Sequence, residues 1–208
     1  MQPSLARRRF LAMLPVLAVP ACSRSSRTDA LAPGARIVAL GDSLTFGTGA
    51  APQASYPTVL ATLTGWQVEN AGVPGETATQ ICERLPDLLA EPRPALVLVL
   101  AGGNDFLRRL PEAGIREALA RCVASAREAG VAIAVLPVPR LGFGGLATAP
   151  LYAETAEALR VPLVDAGLSD LLADRTLRAD AVHLNAPGYA AMAQRIADGL
   201  AAEGWLRR

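Results

Sequence analysis

An unbroken run of aliphatic residues at positions 96–100, Leu-Val-Leu-Val-Leu, is the feature that most constrains the fold of this chain. Such a run predicts a strand covered on both faces, because a half-exposed strand would alternate apolar with polar residues. Further strand-like segments accompany it, and they alternate along the chain with helix-like segments. This alternation indicates a parallel sheet with helices on both of its sides.

We therefore predict one α/β domain, a flavodoxin-like three-layer sandwich with a five-stranded parallel sheet and helices on both faces. The predicted strands span 36–40, 67–70, 95–101, 131–136 and 161–164. The predicted helices span 56–64, 77–89, 111–129, 150–159 and 187–203. The segment 137–150 is rich in Gly and Pro, and because it follows a strand we expect it at the carboxyl edge of the sheet.

The first 21 residues are predicted to be an export signal peptide. Arginines at positions 7–9 precede an apolar run from Phe10 to Ala21, which is too short to span a membrane. These arginines and the Phe-Leu pair after them resemble a twin-arginine export signal. The run ends at Cys22 in a sequence that resembles a bacterial lipobox, which predicts a lipid-anchored cysteine. A plain secretory signal cut near Ala21 is the alternative.

Residues 22–34 are expected to combine the anchor cysteine with a flexible tether, since they are rich in Ser, Arg and Ala. Residues 35–208 are expected to form the folded domain. Ser23 beside Cys22 is similar to the residue choice that sorts bacterial lipoproteins to the outer membrane. The predicted location is the periplasmic side of the cell envelope, with the outer membrane favoured over the inner.

Charge and composition exclude several function classes. The net charge of +1 becomes −2 without the three arginines of the signal, so no basic excess indicates a nucleic-acid partner. All 20 basic residues are arginine, and the absence of lysine excludes Ser-Lys catalysis and Schiff-base chemistry. Cys82 and Cys122 could pair in an exported protein. Nothing in their spacing says that their helices touch, so we predict two unpaired, buried thiols.

A serine directly after the first predicted strand is the candidate nucleophile. The sequence Gly-Asp-Ser-Leu at 41–44 allows a sharp turn at its glycine and places Ser43 at the carboxyl edge of the sheet. Asp42 is interpreted as structural, holding this turn. His183, the only histidine, is the candidate base. Asp180, three residues earlier, could hold one ring nitrogen and leave the other free to accept a proton.

Two glycine-containing loops supply candidate groups for a negatively charged oxygen. The sequence Gly-Gly-Asn-Asp at 102–105 follows the central strand, and the amide of Asn104 is a suitable neutral donor. Gly75 lies in the loop 70–77, just before a predicted helix, where free N–H groups favour anions. The segment 102–105 is otherwise explained as an ordinary glycine-rich turn, and the segment 70–77 by itself is better explained as a loop with a helix cap. A single histidine excludes multi-histidine metal sites, and no dense acidic cluster suggests a carboxylate site, so we predict no metal and no cofactor.

Together these segments resemble the blocks of the SGNH hydrolases, also called the GDSL esterase/lipase family. Positions 41–44, 70–77, 102–105 and 180–183 match the four family blocks in the family's order. The resemblance covers about 37–200, and it is closest to the small thioesterase, lysophospholipase and arylesterase-like members. Gly75 is aligned with the oxyanion glycine of the second block, and Gly72 is the competing register. Leu184 replaces the proline that follows the histidine in many members.

The resemblance implies a serine esterase that hydrolyses carboxylic ester or thioester bonds of small to medium acyl substrates through an acyl-enzyme. It implies a catalytic triad of Ser43, Asp180 and His183. It also implies an oxyanion hole made of the backbone N–H groups of Ser43 and Gly75 with the side chain of Asn104. The residues expected to contact the substrate are Phe106, Leu141, Phe143 and Leu146. The expected partner is a small-molecule ester, with membrane contact only through the lipid anchor.

Two alternatives accompany this reading. The same family includes carbohydrate O-acetylesterases, and an exported protein meets envelope glycans, so a preference for acetylated sugars would distinguish this function. A lipid-anchored, non-catalytic binding module is the alternative from another class. It is disfavoured because every catalytic role has a candidate residue. A dinucleotide-binding domain is disfavoured too, because the Gly-Thr-Gly sequence at 47–49 lacks a third glycine.

Overall fold

The structure is a computed structural model that describes residues 30–142 and 145–207. The predictions for the signal peptide, for the anchor at Cys22 and for Phe143 lie outside these described residues.

Four parallel strands form the central sheet, in the order β2-β1-β3-β4. The strands are β1 (Arg36–Gly41), β2 (Gln67–Gly72), β3 (Leu96–Leu100) and β4 (Ala132–Leu136). Ile37 lies opposite Val68 on one side and Leu96 on the other, and Leu96 in turn lies opposite Ala132. All five residues of β3 are buried, which confirms the central position predicted from the aliphatic run.

Nine α-helices and one short 3-10 helix lie within the described residues. The helices are α1 (Ser43–Phe46), α2 (Tyr56–Thr64), α3 (Ala78–Glu83), α4 (Leu85–Leu88), α5 (Gly103–Leu107), α6 (Glu112–Glu128), α7 (Leu151–Leu159), α8 (Leu168–Ala173) and α9 (Ala186–Ala202), with the 3-10 helix at Pro52–Ala54. None of the helices in this part of the chain is both long enough and apolar enough to cross a membrane.

The strand order distributes the helices over both faces of the sheet. The connection from β1 to β2 runs towards one edge, whereas those from β2 to β3 and from β3 to β4 run towards the other. Because such crossovers are right-handed, α2 covers one face, and α3, α4 and α6 cover the opposite face. Helix α9 packs against α2, and α7 packs against α6. The structure therefore has the predicted three layers, with a parallel sheet flanked by helices.

Two predicted elements are shorter in the structure than expected. The fifth strand, predicted at 161–164, is reduced to a single bridge between Val135 and Leu163. Pro162 has no N–H to extend the pairing, and Asp165 begins a turn by accepting a hydrogen bond from the N–H of Gly167. The helix predicted at 77–89 is divided into α3 and α4, because the ring of Pro86 is incompatible with an uninterrupted helix.

The Gly- and Pro-rich segment after β4 contains a small antiparallel hairpin. Its strands are β5 (Pro139–Gly142) and β6 (Gly145–Thr148). The hairpin directly follows the carboxyl end of β4, and it packs near α5 and α8. This segment therefore lies at the edge of the sheet where it was expected, with more regular structure than its composition predicted.

The prediction of two unpaired thiols is wrong. Cys82 of α3 and Cys122 of α6 form a disulfide, with their Cα atoms 5.2 Å apart, within the usual range for such a bond. Both helices belong to right-handed connections that run towards the same edge of the sheet, so they share a face and pack side by side. This adjacency depends on the strand order, which the spacing of the two cysteines does not contain.

Candidate active site

A pocket of about 990 Å³ opens at the carboxyl edge of the sheet. Its walls include Ser43, which follows β1, and Asn104, which follows β3. The chain leaves β1 towards one edge of the sheet and leaves β3 towards the other, so the two strand ends form a crevice. Parallel α/β sheets bind their ligands at such a point. The fold thus places the candidate nucleophile and the candidate amide donor beside the same cavity.

The turn that presents Ser43 is held by Asp42. The side chain of Asp42 accepts a hydrogen bond of 2.9 Å from the N–H of Leu44 at the start of α1. At Gly41 a side chain would collide with Thr45 and with the carbonyl oxygen of Leu100, so the close packing of this turn requires glycine. The local sequence therefore determines how sharply the chain turns before Ser43.

Ser43, His183 and Asp180 form a hydrogen-bonded line. The Nε2 atom of His183 lies 3.0 Å from the Oγ atom of Ser43, and its Nδ1 atom lies 2.8 Å from Oδ2 of Asp180. The other carboxylate oxygen of Asp180 accepts the N–H groups of Val182 and His183, each at 2.8 Å. These bonds fix the carboxylate relative to the imidazole ring. The geometry is that of a serine activated by a histidine that a carboxylate orients.

The carboxylate of Asp180 is stabilised in its charged form. Desolvation by itself would raise its pKa, but the bonds from the ring of His183 and from the N–H groups of Val182 and His183 outweigh it, so the pKa of Asp180 is lowered. A permanently negative Asp180 favours a positive charge on the adjacent ring. This is the electrostatic arrangement that a histidine base requires.

Two backbone N–H groups at the pocket are free to bind an oxyanion. Within the described residues, neither the N–H of Ser43 nor that of Gly75 donates a hydrogen bond to the protein, and both residues line the pocket. Gly75 has a φ of 85°, a conformation that favours glycine. The Nδ2 atom of Asn104 donates to the carbonyl oxygen of Glu76 at 2.9 Å and lies beside the same cavity. Its second contact, to Oδ2 of Asp42, is long at 3.5 Å, so the second N–H of this amide can turn to a ligand oxygen instead.

Residues of helix α5, and Arg108 directly after it, hold the loop that carries Gly75 in place. Arg108, which follows α5, donates a hydrogen bond of 2.7 Å to the carbonyl oxygen of Gly75. Asp105 is almost fully buried and accepts the N–H of Ala78, at the start of α3, at 2.8 Å. With the bond from Asn104, three residues of one short segment hold this loop at three points. Such support keeps the N–H of Gly75 in a constant direction.

A second set of contacts joins the same loop to the strands. The guanidinium of Arg84 binds the carboxylate of Glu76 through two nitrogen atoms, at 2.7–3.0 Å. It also donates to the carbonyl oxygens of Ala71 at 3.0 Å and Gly41 at 3.4 Å, at the ends of β2 and β1. This arginine therefore connects the loop to both strand ends beside Ser43. Sequence reasoning missed Arg84 and Arg108, because their targets are backbone carbonyls with no sequence signature.

Asp42 carries an unusual carboxyl group. It is 2% exposed, and burial raises its pKa. The N–H of Leu44 and the attraction of His183 lower the pKa but do not cancel the effect of burial, so the pKa rises from 3.8 to about 6. Its Oδ2 atom lies 3.5 Å from Nδ2 of Asn104, so the carboxylate also faces the candidate amide donor. The interpretation of Asp42 as a structural residue agrees with these contacts, although the sequence did not predict its burial.

The rest of the pocket wall is largely apolar. Of the four predicted substrate contacts, Phe106, Leu141 and Leu146 line the pocket, and Phe143 lies outside the described residues. The residues of the wall that sequence reasoning missed include Leu107, Leu110, Val138, Leu172 and Val182, with three arginines, Arg109, Arg140 and Arg178. Val138 follows β4, and position after a strand was the one signal that could have identified it. No group of His, Cys, Asp and Glu in residues 30–142 and 145–207 could hold a metal ion.

The chain is similar to known proteins both in sequence and in structure. Residues 39–191 match the model of the GDSL-like lipase/acylhydrolase family. Thioesterase 1/protease 1/lysophospholipase L1 of Escherichia coli K12 is 28% identical over 158 residues, which cover 72% of this chain and 75% of the relative. Esterase TesA of Pseudomonas aeruginosa is 40% identical over 73 residues, a match that spans only 36% of that relative's length.

Solved structures show the same fold. The psychrotrophic esterase EstA from a Pseudoalteromonas species superposes with a TM-score of 0.72 at 22% identity, covering 80% of this chain and 97% of that one. AlinE4, described as an SGNH-hydrolase family esterase, superposes with a TM-score of 0.62 at 27% identity, covering 83% of this chain and 98% of that one.

Proposed function

The chain belongs to the GDSL-like lipase/acylhydrolase family and is a serine-type hydrolase of ester bonds, and we propose that Ser43 is its nucleophile, acting on carboxylic esters or thioesters of small to medium acyl groups. The observation that carries this assignment is the line from Ser43 through His183 to Asp180, with bonds of 3.0 and 2.8 Å, beside a pocket.

The proposed reaction has two halves. The Oγ atom of Ser43 attacks the carbonyl carbon while Nε2 of His183 takes its proton, and Asp180 stabilises the imidazolium that results. The tetrahedral intermediate then collapses, and His183 gives its proton to the departing alcohol or thiol. A water molecule attacks the acyl-enzyme in the second half, again with His183 as the base, and releases the acid.

The oxyanion of each intermediate would be bound by three donors. These are the free N–H groups of Ser43 and Gly75 and the second N–H of the Asn104 amide. The hydrogen bonds that hold the Gly75 loop to α5 and Arg108 support this role, because donors that are already held in place lose no free energy to reorganisation during the reaction. The acyl group would lie against the apolar wall that includes Phe106, Leu141 and Leu146.

We propose that the protein is exported and anchored to the envelope through Cys22, with residues 1–21 as the signal peptide. The support is the order of basic, apolar and small residues before Cys22. The disulfide between Cys82 and Cys122 also favours an oxidising compartment outside the cytoplasm. Incorporation of labelled palmitate by the wild type, and its loss in Cys22→Ser, would test the anchor. Equal labelling of both would contradict it.

Hydrolysis of para-nitrophenyl esters with short to long acyl chains tests the proposed function. Ser43→Ala should lower kcat by more than about 10⁴-fold, and Asn104→Ala by roughly 10²–10³-fold, since one oxyanion donor is lost. Ser125→Ala, a change far from the pocket in α6, is the matched control and should retain wild-type rates. Wild-type turnover by a folded Ser43→Ala protein would refute the assignment. Turnover confined to acetyl esters would favour a carbohydrate O-acetylesterase.

A further inference from the structure

Six of the seven large hydrophobic side chains that are exposed in the described residues lie at the carboxyl edge of the sheet, where the pocket opens. These six, called here the apolar rim, are Phe46, Val73, Leu107, Leu110, Leu141 and Val182. Four of them line the pocket directly, and the other two lie in the segments that carry Ser43 and Gly75. Two are unusually open to solvent, with exposed fractions of 79% for Leu141 and 62% for Leu107.

Isolated exposed hydrophobic residues are ordinary, but a contiguous group marks a surface that meets another apolar phase. The seventh exposed large hydrophobic residue, Leu63, lies away from the other six. It lies near the end of α2, just before β2 begins, at the amino edge of the sheet. The carboxyl edge therefore carries six of the seven large hydrophobic side chains that are exposed in this part of the chain.

The same mouth is basic, although the domain is not. Residues 1–29 hold five arginines and one aspartate, so the net charge of +1 for the whole chain leaves −3 for residues 30–208. Three arginines nevertheless line the pocket, Arg109, Arg140 and Arg178. Of the acidic residues in its wall, Asp42 is buried, and Glu112 is paired with Arg140 at 2.7 Å. The guanidinium of Arg109 forms no hydrogen bond or ion pair with the described residues, so its charge is free.

We propose that the apolar rim and its arginines dock on the surface of an anionic lipid assembly, so that an ester substrate passes from the lipid directly into the pocket. Leu107 and Leu141 would enter the acyl region, while Arg109 would contact anionic head groups. Hydrophobic insertion combined with basic residues at its border is the usual composition of a surface that binds lipid interfaces. This docking is separate from the anchor at Cys22, and it rests on the proposed function only for the hydrolysis that follows.

A lipid surface fits this position better than a protein does. Four residues of the rim line the pocket that holds Ser43 and His183. A protein partner or a second copy seated on the rim would close that entrance, whereas a lipid surface covers the rim and supplies the acyl substrate at the same time. The charge also discriminates, because the free cation of Arg109 favours anionic over zwitterionic head groups.

A fluorescent probe at chosen positions tests which surface meets the lipid. The full chain with Cys22→Ser and Ser43→Ala cannot be acylated at Cys22 and leaves the vesicles intact. A cysteine introduced by Leu141→Cys is labelled with an environment-sensitive nitrobenzoxadiazole dye, and Leu63→Cys is the matched control. The probes are phosphatidylglycerol and phosphatidylcholine vesicles. This design asks only where the lipid contacts the protein, so binding by the first 29 residues does not affect the interpretation.

Docking predicts a blue shift of the dye at position 141 on phosphatidylglycerol vesicles and none at position 63. Arg109→Gln should weaken the binding measured at position 141 about fivefold, and Leu107→Ser roughly tenfold. Arg93→Gln, a charge change at the amino edge just before β3, should leave it unaltered. The absence of a shift at position 141, or equal shifts at 141 and 63, would overturn the proposal. A concentration-dependent shift without vesicles would indicate self-association instead. If Ser43 proves not to be needed for ester hydrolysis while position 141 still responds, the proposed function fails and the docking stands.

Discussion

Reduction of the disulfide between Cys82 and Cys122 should lower the free energy of unfolding by about 4 kcal/mol. The bond joins residues 40 positions apart. In the chain-entropy model, closing a loop of this length removes roughly 13 cal/mol/K from the unfolded state, which corresponds to about 4 kcal/mol at 25 °C. For a domain of this size the same loss lowers Tm by roughly 8–16 °C. Both cysteines are buried, so we expect reduction to change the native contacts of their side chains little and to act mainly on the unfolded state.

Urea denaturation with and without a phosphine reductant measures this loss. The protein should carry Cys22→Ser, so that Cys82 and Cys122 form its only cysteine pair. Unfolding exposes the bond, so the reductant acts on it at equilibrium even if the native state protects it. The double variant Cys82→Ala/Cys122→Ala is the control, because its denaturation midpoint should not respond to the reductant.

Two results would refute this reasoning at different steps. If thiol titration shows complete reduction and the free energy of unfolding changes by less than about 1 kcal/mol, the entropic argument is wrong. If the unfolded protein has two free thiols before any reductant is added, the pairing itself is wrong, and the sequence-based prediction of unpaired cysteines is restored.

Other properties of the structure give predictions for single substitutions. Burial raises the pKa of Asp42 to about 6, so between about pH 4 and 6 the native state binds a proton that the unfolded chain releases. This residue therefore adds stability as the pH falls from about 6 towards 4, and Asp42→Asn should remove that contribution in calorimetry between pH 4 and 7. Wild-type and variant curves of stability against pH that run parallel would contradict this prediction. Gly72→Ala should lower the free energy of unfolding, measured by urea denaturation, by about 1–3 kcal/mol, because its Cβ would overlap the backbone nitrogen of Phe46. Gly114→Ala is the control and should not lower it, since its Cβ would meet open space. Arg108→Met should lower kcat roughly tenfold with little change in KM, because the loop between β2 and α3 loses its hydrogen bond from Arg108 at Gly75. An equal rise in KM would indicate instead that Arg108 contributes to substrate binding.

Much of the fold and the site could be predicted because the deciding information is local. The aliphatic run at β3 needs only its own residues to specify a buried strand. Asn185 accepts a hydrogen bond from the N–H of Gly188 and caps α9, a contact between residues three positions apart. Ser43 and Asn104 each follow a strand, and parallel strands bring their carboxyl ends to one edge, so their meeting at one pocket followed from position alone.

The alternation of the four main strands with helices, the residues that follow each strand and the spacing of Asp180 and His183 could be read from the sequence. Each of these depends on near neighbours in the chain. The folded molecule was needed to show that Cys82 meets Cys122 and that the segment 161–164 pairs by a single bridge. It was also needed to show that Asp42 is buried deeply enough to raise its pKa, and that exposed leucines and arginines line one pocket. Those features depend on which elements share a face and how far water reaches between them. Such distances belong to the packed molecule and have no counterpart in the spacing of residues along the chain.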